Sequence, residues 1–194
     1  MIKGEEAVQR SKKVVFVSYC MLFQSVRAQG VAIKFRAAVN PVMKLLIDND
    51  INIVQMSCPE ISYEGIIRKA VRKDAYDNPE FRAICERHAK QVTDSIKILR
   101  NANFNVIGIL GIENSPTCGV EFVFREGKGR SRESGIFVEE LQKLLLSENL
   151  GNIPLIGIEV FNIKKSLLKL KDLIFKQSSL VDFTRRPISY HEHE

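Results

Sequence analysis

Four short runs of β-branched and aliphatic residues, separated by segments with helical spacing, predict an α/β protein. The expected architecture is a Rossmann-like parallel sheet with helices on both faces, in a single domain. Two observations lead there. Each run is apolar at almost every position, as in a strand covered on both sides. Strands and helices also alternate along the chain, which implies right-handed crossovers.

Lys13-Val14-Val15-Phe16-Val17-Ser18 is the first predicted strand. Asn40-Pro41 then reads as a cap followed by a first-turn proline, and Val42, Leu45 and Leu46 mark one helical face. Ile51-Asn52-Ile53-Val54-Gln55-Met56 is the second strand. Asn78-Pro79 repeats the start signal before Phe81, Ile84, Cys85, His88, Val92 and Ile96, which keep helical spacing. Asn105-Val106-Ile107-Gly108-Ile109-Leu110 is the third strand. Ser134 is the expected cap of a helix whose buried stripe is Phe137, Val138, Leu141, Leu144 and Leu145. Pro154-Leu155-Ile156-Gly157-Ile158-Glu159 closes the series. Leu167, Leu168, Leu170 and Ile174 interleave with lysines as a basic amphipathic helix. The α/β domain is therefore expected over residues 1–176, with 177–194 as a surface tail. The closing His191-Glu192-His193-Glu194 is read as part of that tail rather than as a metal site.

The 194 residues are 45% hydrophobic and 27% charged, which excludes a disordered chain and a membrane protein. The longest apolar-rich stretch, residues 14–23, is about half of the roughly 20 residues a bilayer span needs. Met1-Ile2-Lys3-Gly4-Glu5-Glu6 has no signal-peptide core, so a soluble, cytoplasmic protein is expected. Lys and Arg number 29 against 23 Asp and Glu, a net charge of +6. The excess gathers at Arg68, Lys69, Arg72 and Lys73, at 125–132, and at 164–176. Such clusters suit an anionic partner or a solvated face.

The cysteines stand at 20, 58, 85 and 118, with no C-x-x-C pair. Cys20 follows the first strand, Cys58 the second, and Cys118 ends the loop after the third. Ligands of open parallel sheets bind outside the carboxyl ends of the strands, so three thiols converge there. Without a histidine nearby, that set suits a soft metal or an iron–sulfur cluster. The other reading is three buried thiols packed as small hydrophobes. Cys85 lies on an apolar helical stripe and reads as core. Glu60, in Cys58-Pro59-Glu60, places a carboxylate beside one thiol, and Ser115, in Ser115-Pro116-Thr117-Cys118-Gly119, places a hydroxyl beside another. A carboxylate at a desolvated site can act as general acid or base; otherwise Glu60 is a helix-start residue and Ser115 a turn residue.

These residues resemble the thiouracil desulfidase family, small iron–sulfur proteins once grouped as a domain of unknown function. The matching pieces are Val17-Ser18-Tyr19-Cys20-Met21-Leu22, Arg27 with Gly30, Cys58-Pro59-Glu60, and Gly111 with the segment from Ser115 to Gly119. The resemblance covers roughly residues 13–160 and looks like a divergent branch: Val26 stands where many members have a second cysteine, and Phe23 replaces a glycine. It implies a 4Fe–4S cluster held by Cys20, Cys58 and Cys118, with one iron lacking a protein ligand. Glu60 and Ser115 are then the catalytic groups. The implied reaction is non-redox removal of sulfur, as hydrosulfide, from a thiolated nucleobase or nucleoside, free or in tRNA. Two other functions compete. A sulfur carrier or tRNA-thiolation protein would keep the cluster, but no ATP-binding loop occurs. A non-catalytic metal- or RNA-binding module would use the basic clusters, which lack interleaved aromatics.

Overall fold

A computed structural model describes residues 10–184. β1 (Lys13–Val17) leads into the short helix α1 (Tyr19–Leu22) and a 3-10 turn (Gln24–Val26), and an irregular segment then reaches α2 (Asn40–Ile47). β2 (Asn52–Gln55) is followed by α3 (Pro59–Glu64), α4 (Lys73–Tyr76) and the long α5 (Pro79–Asn101). β3 (Asn105–Ile112) opens into a loop and a small hairpin, β4 (Val123–Arg125) and β5 (Gly129–Ser131). α6 (Ile136–Ser147), β6 (Leu155–Ile158), a 3-10 turn (Val160–Asn162) and α7 (Ile163–Thr184) complete the order.

The four long runs form one parallel sheet in the order β2-β1-β3-β6. β1 is central, and alternation along it divides the core in two. Val14 and Phe16 pack with Phe81, Ile96, Phe137 and Leu141 of α5 and α6. Val15 and Val17 pack with Val42, Leu46, Leu170 and Leu173 of α2 and α7. Burying a side chain of this size contributes about 1.5–3 kcal/mol, so both helical layers are held by the same strand. The chain leaves β1 towards β2 on one side and β3 lies on the other, which puts the switch of strand order between β1 and β3.

Four local expectations are corrected. β2 is an edge strand, so Asn52 and Gln55 are exposed rather than buried on both faces. Asn40 is the first residue of α2, not its cap. Ser134 does not cap α6; Gly135 precedes the helix, and the Ser134 hydroxyl donates to the Val120 carbonyl at 2.8 Å. The β4–β5 hairpin was not read from the sequence, because strands of three residues carry no periodicity. The Asn78 cap does form: its side chain accepts from the Phe81 N–H at 2.9 Å. α7 continues to Thr184, beyond position 176. The ending His191-Glu192-His193-Glu194 and the opening six residues lie outside the described residues. No described helix is long and apolar enough to cross a membrane.

Candidate active site

Beyond the carboxyl ends of β1, β2 and β3 lies a cavity of about 600 Å³ bordered by Cys20, Cys58, Glu60, Ser115 and Cys118. The sheet brings together all five residues singled out by sequence. Cys85 stays apart, fully buried on α5.

Each thiol has its own local support. Cys20 sits in α1 two residues after Ser18, whose N–H and hydroxyl both donate to the Leu110 carbonyl of β3, at 3.0 and 3.1 Å. Cys58 immediately precedes α3, where Pro59 occupies the first turn and needs no N–H partner. Cys118 is drawn inward by Ser115, whose Oγ accepts from the N–H groups of Thr117 at 3.2 Å and Cys118 at 3.0 Å. Its carbonyl crosses Gly111 so closely that a Cβ there would collide with it. Glycine at 111 is required by that approach.

The thiols sense one another. Burial first, then the charge of Cys58, pushes Cys20 up to about 12. Burial and Glu60 raise Cys58 to about 11. Cys118 is pushed well above its ordinary value by burial, then by Cys58 and Cys20. Three mutually repelling thiols become thiolates together when a cationic group stands among them. No three His, Cys, Asp or Glu among the described residues stand close enough to hold a single metal ion.

Glu60, in the first turn of α3, is 8% exposed. Its Oε2 accepts from the Arg68 Nε at 2.9 Å and forms an ion pair with Nη2, also at 2.9 Å. Arg68 is buried as well, and its Nη1 donates to the Val26 carbonyl at 2.9 Å. Burial opposes the guanidinium charge, but Glu60 outweighs it and holds the Arg68 pKa above its ordinary value. Val26, where a second cysteine is absent, thus serves the site through its backbone. Sequence reasoning placed Arg68 and Lys73 in a basic surface cluster, and this is corrected. Lys73 is 1% exposed and donates to Glu133, Glu139 and the Ser134 carbonyl. No local pattern distinguishes an arginine that pairs inward from one that faces solvent. The cavity mouth is formed by Arg27, Val31, Arg72, Phe124 and Phe161, the two aromatics being exposed.

The molecule is a doubly covered parallel sheet of the α/β class with three thiols and a paired carboxylate lining a cavity at its switch point. Residues 15–148 match the model of the 2-thiouracil desulfurase family, and the chain belongs to that family. It is 30% identical over 134 residues to the uncharacterized protein MJ0003 of Methanocaldococcus jannaschii, covering 69% of this chain and 78% of that one. Among solved structures it is similar to the 4Fe–4S-dependent thiouracil desulfidase TudS. That likeness covers 82% of this chain and 98% of the other, at 16% identity and a TM-score of 0.47.

Proposed function

We propose that this protein is an iron–sulfur-dependent desulfidase that converts the thiocarbonyl of a nucleobase or nucleoside to a carbonyl, releasing hydrosulfide without net electron transfer. Cys20, Cys58 and Cys118 would hold a 4Fe–4S cluster, leaving one iron without a protein ligand. The observation that carries this reading is the convergence of three thiols and Glu60 on one cavity. Thiolates are the usual ligands of a multi-iron group, and the same cavity holds all three. Membership of the 2-thiouracil desulfurase family supports the substrate class.

When bound, the cluster supplies a Lewis-acidic iron with affinity for the thiocarbonyl sulfur. The remaining work falls to the chain. Both Arg68 contacts, the Nε hydrogen bond and the Nη2 ion pair, fall on Oε2 of Glu60, so Oε1 is the oxygen that takes a proton from the attacking water. The water oxygen bonds to the carbon bearing sulfur. Glu60 then returns that proton to the sulfur as the carbon–sulfur bond breaks, the hydroxyl proton passes to solvent as the carbonyl forms, and sulfur leaves as hydrosulfide. Ser115 Oγ already accepts two backbone N–H groups, so its own hydrogen is left to orient the substrate ring. The exposed Phe124 and Phe161 offer apolar surface to a planar base.

The test is anaerobic reconstitution followed by incubation with 2-thiouracil. Equal amounts of uracil and hydrosulfide, with about four irons per chain by metal and sulfide analysis, are expected. A fully loaded protein that releases no hydrosulfide from thiouracil or its nucleoside overturns the reading.

A further inference from the structure

Glu113 borders the cavity but has no part in the reaction described above. It directly follows β3, and its N–H continues the ladder by donating to the Ile158 carbonyl of β6 at 3.1 Å. The side chain is 8% exposed and lies over Gly157 of β6, where a Cβ would coincide with its Oε1. Glycine at 157 thus opens the space the carboxylate fills. The carboxylate accepts from the Glu121 N–H, at 3.1 and 3.3 Å to its two oxygens, and from the Phe122 N–H at 2.9 Å. Burial pushes the carboxyl pKa up, and those two N–H groups oppose the shift.

The bonds span the base of the loop that carries Ser115 and Cys118. Its ends also meet where the Asn114 N–H donates to the Phe122 carbonyl at 2.9 Å. Inside it, the Gly119 N–H donates to the Ser115 carbonyl at 3.1 Å. A charged acceptor bound by backbone N–H groups fixes the loop more firmly than a neutral side chain would.

We propose that Glu113 is a positioning residue: its buried carboxylate clamps the loop over residues 114–122 and thereby holds Cys118 and Ser115 on the cavity wall. The clamp is a statement about the metal-free fold; only its consequence for iron rests on the proposed cluster.

Thiol labelling of the metal-free, full-length protein, mapped by mass spectrometry, tests the clamp. In the parent, Cys118 should label slowly, and Cys85, which does not reach the cavity, more slowly still. In Glu113→Ala, Cys118 should label faster by about tenfold or more while Cys85 is unchanged. Glu113→Gln keeps an acceptor at the same place and should stay within about threefold of the parent. A parental rate at Cys118 in Glu113→Ala, an equal rise at Cys85, or a Gln variant that behaves like Ala overturns the proposal. Should Glu113→Ala not fold, amide exchange in the parent decides. Glu121 and Phe122 should exchange as slowly as β3, and exchange at the rate of exposed loops overturns the clamp. Iron content separates the two readings. Iron should fall in Glu113→Ala and return in Glu113→Gln; full iron with a freely labelled Cys118 removes that cysteine from the ligand set and leaves the clamp standing.

Discussion

The α5–α6 face of the sheet and the carboxyl end of the same sheet each enclose a cysteine, in different company. Cys85 lies on α5 in an apolar cluster with Phe81, Ala89 and Phe137. Cys118 packs against that cluster too, yet it forms part of the cavity wall. Burial is the largest cause raising both thiols. For Cys118 the next causes are Cys58 and Cys20, whereas for Cys85 they are the carboxylates of Glu140 and Glu60. Burial is common to both; what separates them is that Cys118 lines the cavity with Cys20 and Cys58 and Cys85 does not.

The sharpest break of this comparison is a cysteine series. Cys20→Ala, Cys58→Ala and Cys118→Ala should each lose most of the iron taken up on anaerobic reconstitution, because two thiolates hold a four-iron cluster poorly. Cys85→Ala should keep full iron and cost about 0.5–1.5 kcal/mol in denaturant unfolding, the range for removing one buried heavy atom. Iron loss in Cys85→Ala, with full iron in one of the other three, reverses the assignment.

Glu60 comes next. Glu60→Gln keeps the shape and one acceptor for Arg68 but cannot exchange a proton. Hydrosulfide release per mole of cluster should fall about 10²- to 10⁴-fold, while iron content and visible spectrum stay those of the parent. A residue that merely starts α3 would change stability and leave turnover per folded molecule alone. Ser115→Ala should lower turnover by less, about 10- to 100-fold, since one hydrogen bond to a charged or developing-charge group is at stake. It also removes the acceptor for Thr117 and Cys118, so part of that loss should accompany a lower unfolding midpoint.

The parallel sheet was legible because its inner strands are buried on both faces, and a run such as Val14-Val15-Phe16-Val17 states that directly. The edge strand was misjudged for the same reason: Ile53 and Val54 look alike in sequence whether or not a neighbour covers them. The cavity was legible because strand ends are fixed in the chain, and Cys20, Cys58 and Cys118 each stand just past one. What pairs inward was not legible. Arg68 meets Glu60 across eight positions, from the first turn of α3 to the irregular chain beyond it, and Lys73 meets Glu133 across sixty. Nothing in the sequence marks Glu113, and only the space over Gly157 shows why a carboxylate is there.

The smallest functional effect is expected on the flank farthest in character from the cavity, where charge holds helices together. Lys73 donates to Glu133 and Glu139, and Arg125 holds Glu133 through Nε at 2.9 Å and Nη2 at 2.8 Å. The Arg125 hydrogen bonds, with Lys73 behind them and burial opposing, hold the Glu133 carboxyl at about 2, below its ordinary 4.5. The folded state therefore binds fewer protons than the unfolded chain between those values. The stabilisation is complete above pH about 4.5 and is lost as the pH falls towards about 2. Glu133→Gln should make the protein less stable at pH 7 by about 1–3 kcal/mol, the worth of hydrogen bonds to a charged group. The gap to the parent should close as the pH is lowered to about 3, because the parent carboxylate is then losing its charge advantage. Iron content and hydrosulfide release at neutral pH should not change, since neither Glu133 nor Lys73 borders the cavity. Denaturant midpoints of parent and variant at the two pH values measure this. A gap that is the same at both would show that the carboxylate charge contributes nothing to this flank, and reduced hydrosulfide release per cluster would join the flank to the site.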